Sequence, residues 1–178
     1  MNKLLPTHQP TVGYGYTHPT AIIGDPPEHR EWLENPTLYH PPKIHETCRI
    51  NSYCTVDSGL KRATTLGRYC FMMTKSHVGH DALLGAGCEL ATGVIIGGHA
   101  ELGDRVRIGV GAMVQPYIKI GTGARIGSGA VVTKDVPPGE VWAGVPAKKM
   151  RDLNFEESQF NLGSSNDRAT AGRRTETE

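Results

Sequence analysis

Between residues 66 and 137 an apolar side chain returns every sixth residue without a slip in phase. The row runs Leu66, Met72, Val78, Leu84, Leu90, Ile96, Leu102, Ile108, Val114, Ile120, Ile126, Val132. Four residues after each comes a small or modest one, such as Cys70, Ala82, Cys88, Ala100, Ala112 and Ala124. Glycine often follows the apolar residue directly, as at Gly67, Gly79, Gly97 and Gly121. Six is the period neither of a helix, near 3.6, nor of a strand, 2. A sustained hexad instead describes a solenoid of short parallel strands joined by corners, a parallel β-helix. Three hexads close one triangular coil. The large residue points into the prism and the small one fills the space beside it. Coils then stack at strand spacing, roughly 4.8 Å.

The remaining chain is read against this period. Residues 1–17 carry no repeat and read as an N-terminal arm; 18–148 form the β-helix domain. Asp25-Pro26-Pro27-Glu28 has the signature of a helix start, which predicts a short helical insertion to about Glu34. Ile44, Ile50 and Val56 restore the hexad, but Val56 to Leu66 is ten residues rather than six. The excess marks a loop at 57–65, bulging from a corner, where function commonly resides on a rigid scaffold. Beyond Val132 a turn and a last strand are expected, then a short helical extension over 149–161 and a disordered tail over 162–178. Cys48, Cys54, Cys70 and Cys88 each stand four after an apolar hexad start, so they read as buried free thiols. Their intervals match no zinc pattern. A formal charge of +1 implies no nucleic-acid partner. No apolar run is long enough for a membrane span and no signal peptide is visible, which predicts a cytoplasmic protein.

Three of the eight histidines, His77, His80 and His99, fall together. Adding one coil of eighteen residues to His80 gives Gly98, so His80 lies one rung from Gly98, with His99 beside it. His80 is two after the inward Val78 and should point outward near a corner. An imidazole with a pKa near 6.5 takes a proton from an attacking amine or hydroxyl at physiological pH. Asp81 next to it would fix the tautomer and favour the imidazolium as it forms. The backbone N–H of Gly98 would hold a tetrahedral oxyanion, a donor of about 3 kcal/mol. The group therefore suits acyl transfer.

The hexad resembles that of the hexapeptide-repeat acyltransferases, whose prisms are left-handed β-helices and assemble as homotrimers. Met73-Thr74-Lys75-Ser76-His77-Val78-Gly79-His80-Asp81 and its spacing to Gly98-His99 resemble the UDP-N-acetylglucosamine O-acyltransferases. That resemblance implies His80 as general base, Asp81 as its partner and Gly98 as oxyanion donor, with His77, Gly97 and His99 lining the acceptor or donor site. His18-Pro19-Thr20-Ala21-Ile22-Ile23-Gly24 is similar to the opening of that family. Two departures stand out. The His-Arg pair of the family is replaced by Asp57-Ser58, so no phosphate or sugar contact is carried over there. The large helical C-terminal domain of that family is not expected after this repeat. In its place Asp135-Val136-Pro137-Pro138-Gly139 and Ala143-Gly144-Val145-Pro146-Ala147-Lys148 resemble the ending of CoA-dependent sugar acetyltransferases, nucleotide-amino-sugar N-acetyltransferases among them.

These resemblances imply an acetyl-CoA or other short acyl-CoA donor, a sugar or nucleotide-sugar acceptor, and no metal. CoA would lie in a groove between prisms, close to Gly144; Lys148 reads equally as a phosphate contact and as a solvated lysine. An acyl carrier protein is the alternative donor. Serine acetyltransferases share the look of Ala91 to Gly97, but their histidine would fall near Glu89 or Leu90. A γ-class carbonic anhydrase reading would place zinc on His77, His80 and His99, yet the paired ligands of that family are five apart and these two are three apart. A purely structural solenoid leaves the His-Asp pair without a purpose.

Overall fold

The structure is a computed structural model that describes residues 15–25 and 39–154. It is an all-β, left-handed parallel β-helix of about six turns. Three sheets form the faces of the prism. The first face stacks eight strands, Tyr16–Thr17, Arg49–Ile50, Phe71–Met72, Glu89–Leu90, Arg107–Ile108, Arg125–Ile126, Glu140–Ala143 and Lys148–Asp152. The second stacks six: Ile22–Asp25, Thr55–Asp57, His77–Val78, Ile95–Ile96, Met113–Val114 and Val131–Val132. The third stacks five: Lys43–Ile44, Thr65–Leu66, Leu83–Leu84, Glu101–Leu102 and Lys119–Ile120. Most strands have two residues because the second residue of each is the inward apolar one and a corner follows. Register confirms the eighteen-residue rung, as in Glu89↔Arg107 and Ile95↔Met113.

The core is the predicted row. Leu66, Met72, Val78, Leu90, Ile96 and Val132 are all buried, and so are the small residues Ala82, Ala100 and Ala130 between them. Burying each large side chain contributes about 1.5–3 kcal/mol. All four cysteines are buried and free. Three of them repeat one contact: the thiols of Cys48, Cys70 and Cys88 donate to the carbonyls of Gly67, Gly85 and Gly103. The neighbouring Cys70 thiol, together with burial, pushes the Cys48 thiol up.

Several boundaries differ from the sequence reading. Tyr16–Thr17 pairs with Arg49–Ile50, so the solenoid begins two residues inside the expected arm. Asp25 closes a strand, and the rest of the expected helical insertion lies outside the described residues. At the far end, residues 149–152 of the expected helical extension are strand. Lys148–Asp152 turns back antiparallel onto Glu140–Ala143, and Lys149 pairs with Glu140 at 2.7 Å. That hairpin caps the last coil, a tertiary demand that outweighs the helical preference of lysine and methionine. Residues 155–178 lie outside the described residues. Among the described residues no helix is long and apolar enough to cross a membrane.

Candidate active site

The corner joining the second face to the third holds the candidate site residues. Asp81, His99 and Tyr117 occupy the same place in it on three successive rungs, with φ of 60°, 61° and 65°. His80 and Gly98 precede the first two. The left-handed backbone at Asp81 supplies the bend that brings two adjacent side chains together: His80 Nδ1 lies 2.8 Å from Asp81 Oδ2. Sequence alone shows that such a bend is needed, and the corner provides it.

Asp81 is fully buried, and its carboxylate is held by backbone as well as by His80. Leu60 N–H donates to Oδ2 at 3.0 Å, and the N–H groups of Lys61 and Arg62 donate to Oδ1 at 2.7 and 2.6 Å. Burial alone would raise this carboxyl, but His80 and the three amides outweigh it and pull it down to about 2. Asp81 N–H donates to Thr64 Oγ1, and Arg62 Nε donates to the Asp81 carbonyl while its Nη2 pairs with Glu101 at 3.0 Å. The 57–65 bulge is thus a cradle for Asp81. Gly59 makes this possible, because a Cβ there would collide with the Arg62 carbonyl and crowd Asp81 Oδ1 at 3.2 Å.

An ionised carboxylate only accepts hydrogen bonds, so Nδ1 of His80 carries the hydrogen and Nε2 the basic lone pair. Nε2 lies over Gly98, where a Cβ would stand 2.7 Å from it. Only glycine permits that approach. Among the described residues no acceptor takes the Gly98 N–H, while its carbonyl accepts from Tyr117 N–H at 3.0 Å. His99 meets His80 edge-on at 5.1 Å and stacks on Tyr117 at 4.5 Å with the rings 7° apart. Burial lowers the His99 pKa against the pull of Asp81, which keeps that ring neutral at physiological pH.

The structure brings His80, Asp81, Gly98 and His99 together. His77 stands apart on the outer surface of the second face. Its Nδ1 meets Thr55 Oγ1 at 2.7 Å, and its Nε2 faces Asp57 Oδ2 at 3.8 Å. The three histidines therefore do not converge as a zinc triad. Ligand atoms of His80, Asp81 and His99 do lie within 4.8 Å of one another. Asp81, however, spends its oxygens on three amides and an imidazole, a donor set built for a hydrogen-bonded anion rather than a cation. Gly97 precedes Gly98 and lies one rung above Gly79. Gly144, with φ of 97°, lies in the terminal turn, where its carbonyl accepts from Val131 N–H, and Lys148 is exposed beyond it. Val131 is three rungs above His77 in one sheet, so Gly144 and Lys148 lie roughly four rungs, about 19 Å, along the axis from the base. An open groove of about 700 Å³ runs along the third face toward its corner with the first, over Leu83, Glu101, Lys119 and Pro137–Pro138, and His80, Asp81, Gly98 and His99 do not line it. The cradle, Tyr117, Thr55 and Asp57 escaped the sequence reading. The signal for the cradle was the four-residue excess placed one rung below His80.

Two family models match the chain: the bacterial transferase hexapeptide (six repeats) over residues 99–134 and the hexapeptide repeat of succinyl-transferase over 77–102. No curated protein matches it significantly. Among solved structures, the UDP-N-acetylglucosamine O-acyltransferase of Moraxella catarrhalis is similar at 28% identity and a TM-score of 0.73, over 79% of this chain and 55% of that one. A mutant of GDP-perosamine N-acetyl transferase from Caulobacter crescentus, in complex with CoA and GDP-perosamine, is similar at 27% identity and 0.62, over 76% and 56%. The acetyltransferase domain of PglB from Neisseria gonorrhoeae, in complex with acetyl coenzyme A, is similar at 30% identity and 0.58, over 61% and 51%. The chain spans about half the length of these structures. By repeat and by fold, this chain is a hexapeptide-repeat β-helix protein.

Proposed function

We propose that the chain transfers an acetyl or other short acyl group from acyl-CoA to an amine or hydroxyl of a sugar or nucleotide sugar. The observation that carries this reading is the His80–Asp81 pair, with Nε2 close over Gly98. Nε2 takes the proton of the acceptor as its nitrogen or oxygen attacks the thioester carbonyl. The new bond forms, and the negative charge on the former carbonyl oxygen is met by Gly98 N–H. The intermediate collapses, the carbon–sulfur bond breaks, and the thiolate leaves with the proton held on Nε2. Asp81, ionised at any physiological pH, stabilises the imidazolium between these steps. A positioned base contributes about 10²–10⁴ in rate, and one oxyanion donor about 3 kcal/mol.

Relatives in complex with CoA and acetyl-CoA support the donor. The extended arm of such a donor would run along the prism from His80 toward Gly144 and Lys148. A homotrimer is the expected assembly. The outer row of the second face exposes Ile22, Ile95 and Met113, each more than two-fifths accessible, and packing prisms together would cover it. Four buried free thiols fit a cytoplasmic setting. A second reading, favoured by the TM-score of 0.73 to the O-acyltransferase, draws the acyl group from an acyl carrier protein.

Thiol release from acetyl-CoA, followed with a panel of amino-sugar and hydroxyl-sugar nucleotides, tests the reading. Release with one acceptor identifies the reaction. Release only when acyl carrier protein replaces CoA selects the second reading, and silence with both donors contradicts acyl transfer.

A further inference from the structure

One guanidinium ties the cradle of Asp81 to a residue of the third face that the mechanism above does not use. Arg62, in the 57–65 bulge, meets Asp81 twice: its backbone N–H donates to Oδ1 at 2.6 Å, and its Nε donates to the Asp81 carbonyl at 2.9 Å. Nη2 of the same guanidinium donates to Glu101 Oε1 at 3.0 Å. Glu101 opens the third-face strand that pairs with Leu83–Leu84, and its other oxygen faces Lys119 at 3.4 Å. Arg62, and Lys119 after it, hold the Glu101 carboxyl below the usual range, so it is ionised at physiological pH.

What Arg62 secures is an orientation. The last torsion of an aspartate side chain is soft. Oδ2 meets His80 Nδ1 at 2.8 Å while Oδ1 is pinned by the Lys61 and Arg62 amides. If Arg62 lifts away, the carboxylate can turn and Nδ1 loses its acceptor. The ring then takes up the other tautomer too, with a hydrogen on Nε2 in place of the lone pair. The Arg62 and Glu101 side chains are 38% and 35% exposed, so their ion pair adds little to stability. Its value lies in aiming a rigid, planar fork at two acceptors. Lysine, a point charge on a single nitrogen, does not span both.

We propose that Arg62 and Glu101 are positioning residues for the base: Glu101 holds the Arg62 guanidinium, Arg62 holds the bulge against Asp81, and Asp81 thereby keeps the basic lone pair on His80 Nε2. Neither residue touches the reacting atoms. The proposal rests on the reading of His80 as the base, but its first readout does not need turnover.

The ring ¹⁵N signals of His80 in the full chain, assigned by their loss in His80→Ala and recorded with the ring neutral, report the tautomer. The wild type is expected to carry the hydrogen on Nδ1 alone. In Glu101→Gln and Arg62→Lys the two nitrogen signals should draw together as the tautomers mix. For acyl transfer, kcat should fall about tenfold with KM within about twofold, and the melting temperature should stay within about 2 °C of the wild type. Lys119→Gln removes the neighbouring charge but keeps the Arg62–Glu101 bond, so it should match the wild type throughout. Ring signals unchanged in both variants, or moved as far by Lys119→Gln, overturn the proposal. So does a ring change that comes only with a fall in melting temperature of about 10 °C or more. If the ring signals respond as expected but the wild type transfers no acyl group from either donor, the positioning stands and the acyl-transfer reading falls instead.

Discussion

The three corners of the prism share one backbone, yet they spend it differently. Each rung needs a left-handed residue at each corner. The corner from third face to first uses Tyr69, Gly87, Arg105, Gly123 and Gly139, and the corner from first to second uses Tyr53, Lys75, Gly93, Gly111 and Gly129. Glycine takes most of those places, as expected where nothing but a turn is required. The corner from second face to third has Asp81, His99 and Tyr117 at its left-handed places, and no glycine. A side chain in that conformation costs roughly 1–2 kcal/mol, least for Asp and His and most for a bulky residue such as Tyr. Strain accepted on three rungs in a row, where each of the other corners turns to glycine on three of its five, points to a place where side chains matter more than stability.

After loss of the base itself, the largest expected effect falls on Asp81→Asn. An amide leaves the Leu60 N–H facing another donor and removes the charge that favours the imidazolium. Transfer should fall by about 10²-fold or more, and stability by about 1–3 kcal/mol. The same carboxyl gives a pH signature. Its folded pKa, about 2, lies below the ordinary 3.8, so it contributes about 2 kcal/mol of stability above pH 4 that is lost as pH falls from 4 toward 2. Acid unfolding followed by circular dichroism should show that slope in the wild type and much less of it in the variant.

Two glycine substitutions sharpen the contrast between corners. Gly98→Ala puts a methyl against His80 Nε2 without asking for a left-handed backbone; transfer should drop by about 10- to 100-fold with little change in melting temperature. Gly87→Ala, at φ of 69°, should cost about 1 kcal/mol of stability and leave transfer alone. Kinetics and thermal melts on both variants would break the comparison if the two results came out alike. A smaller effect is expected of Tyr117→Gly. It relieves strain, so stability should hold or rise by up to about 1 kcal/mol, while loss of the stack on His99 raises the acceptor KM a few-fold. A lower melting temperature with unchanged KM would make Tyr117 structural. Smallest of all, the native thiols should resist a water-soluble thiol reagent, since Cys70 is pushed up to about 12: burial and the Cys88 thiol prevail over the Cys48 bond that pulls it down.

The inner rows and the pairing of His80 with Gly98 were legible because a strict period turns addition into geometry. Leu66 through Val132 needed only phase, and eighteen residues carried His80 to Gly98. Where the period breaks, that arithmetic stops. Asp81 is held by the amides of Leu60, Lys61 and Arg62, and backbone donors leave no mark in a side-chain pattern. Thr55 and Asp57 reach His77 only across the 22-residue rung that contains the bulge. The closing hairpin was misread over Lys149 to Asp152 because its strand character comes from its partner, Glu140–Ala143, and not from its own residues.

The most direct test sets one corner against another in a single assay. Acyl transfer from acetyl-CoA would be measured for His80→Ala and for Arg105→Ala, the latter a left-handed residue of the corner between the third and first faces. The account predicts a loss of about 10³-fold in the first and less than about twofold in the second, with both proteins folded. Comparable rates in the two variants would contradict the placement of the reaction at the His80 corner.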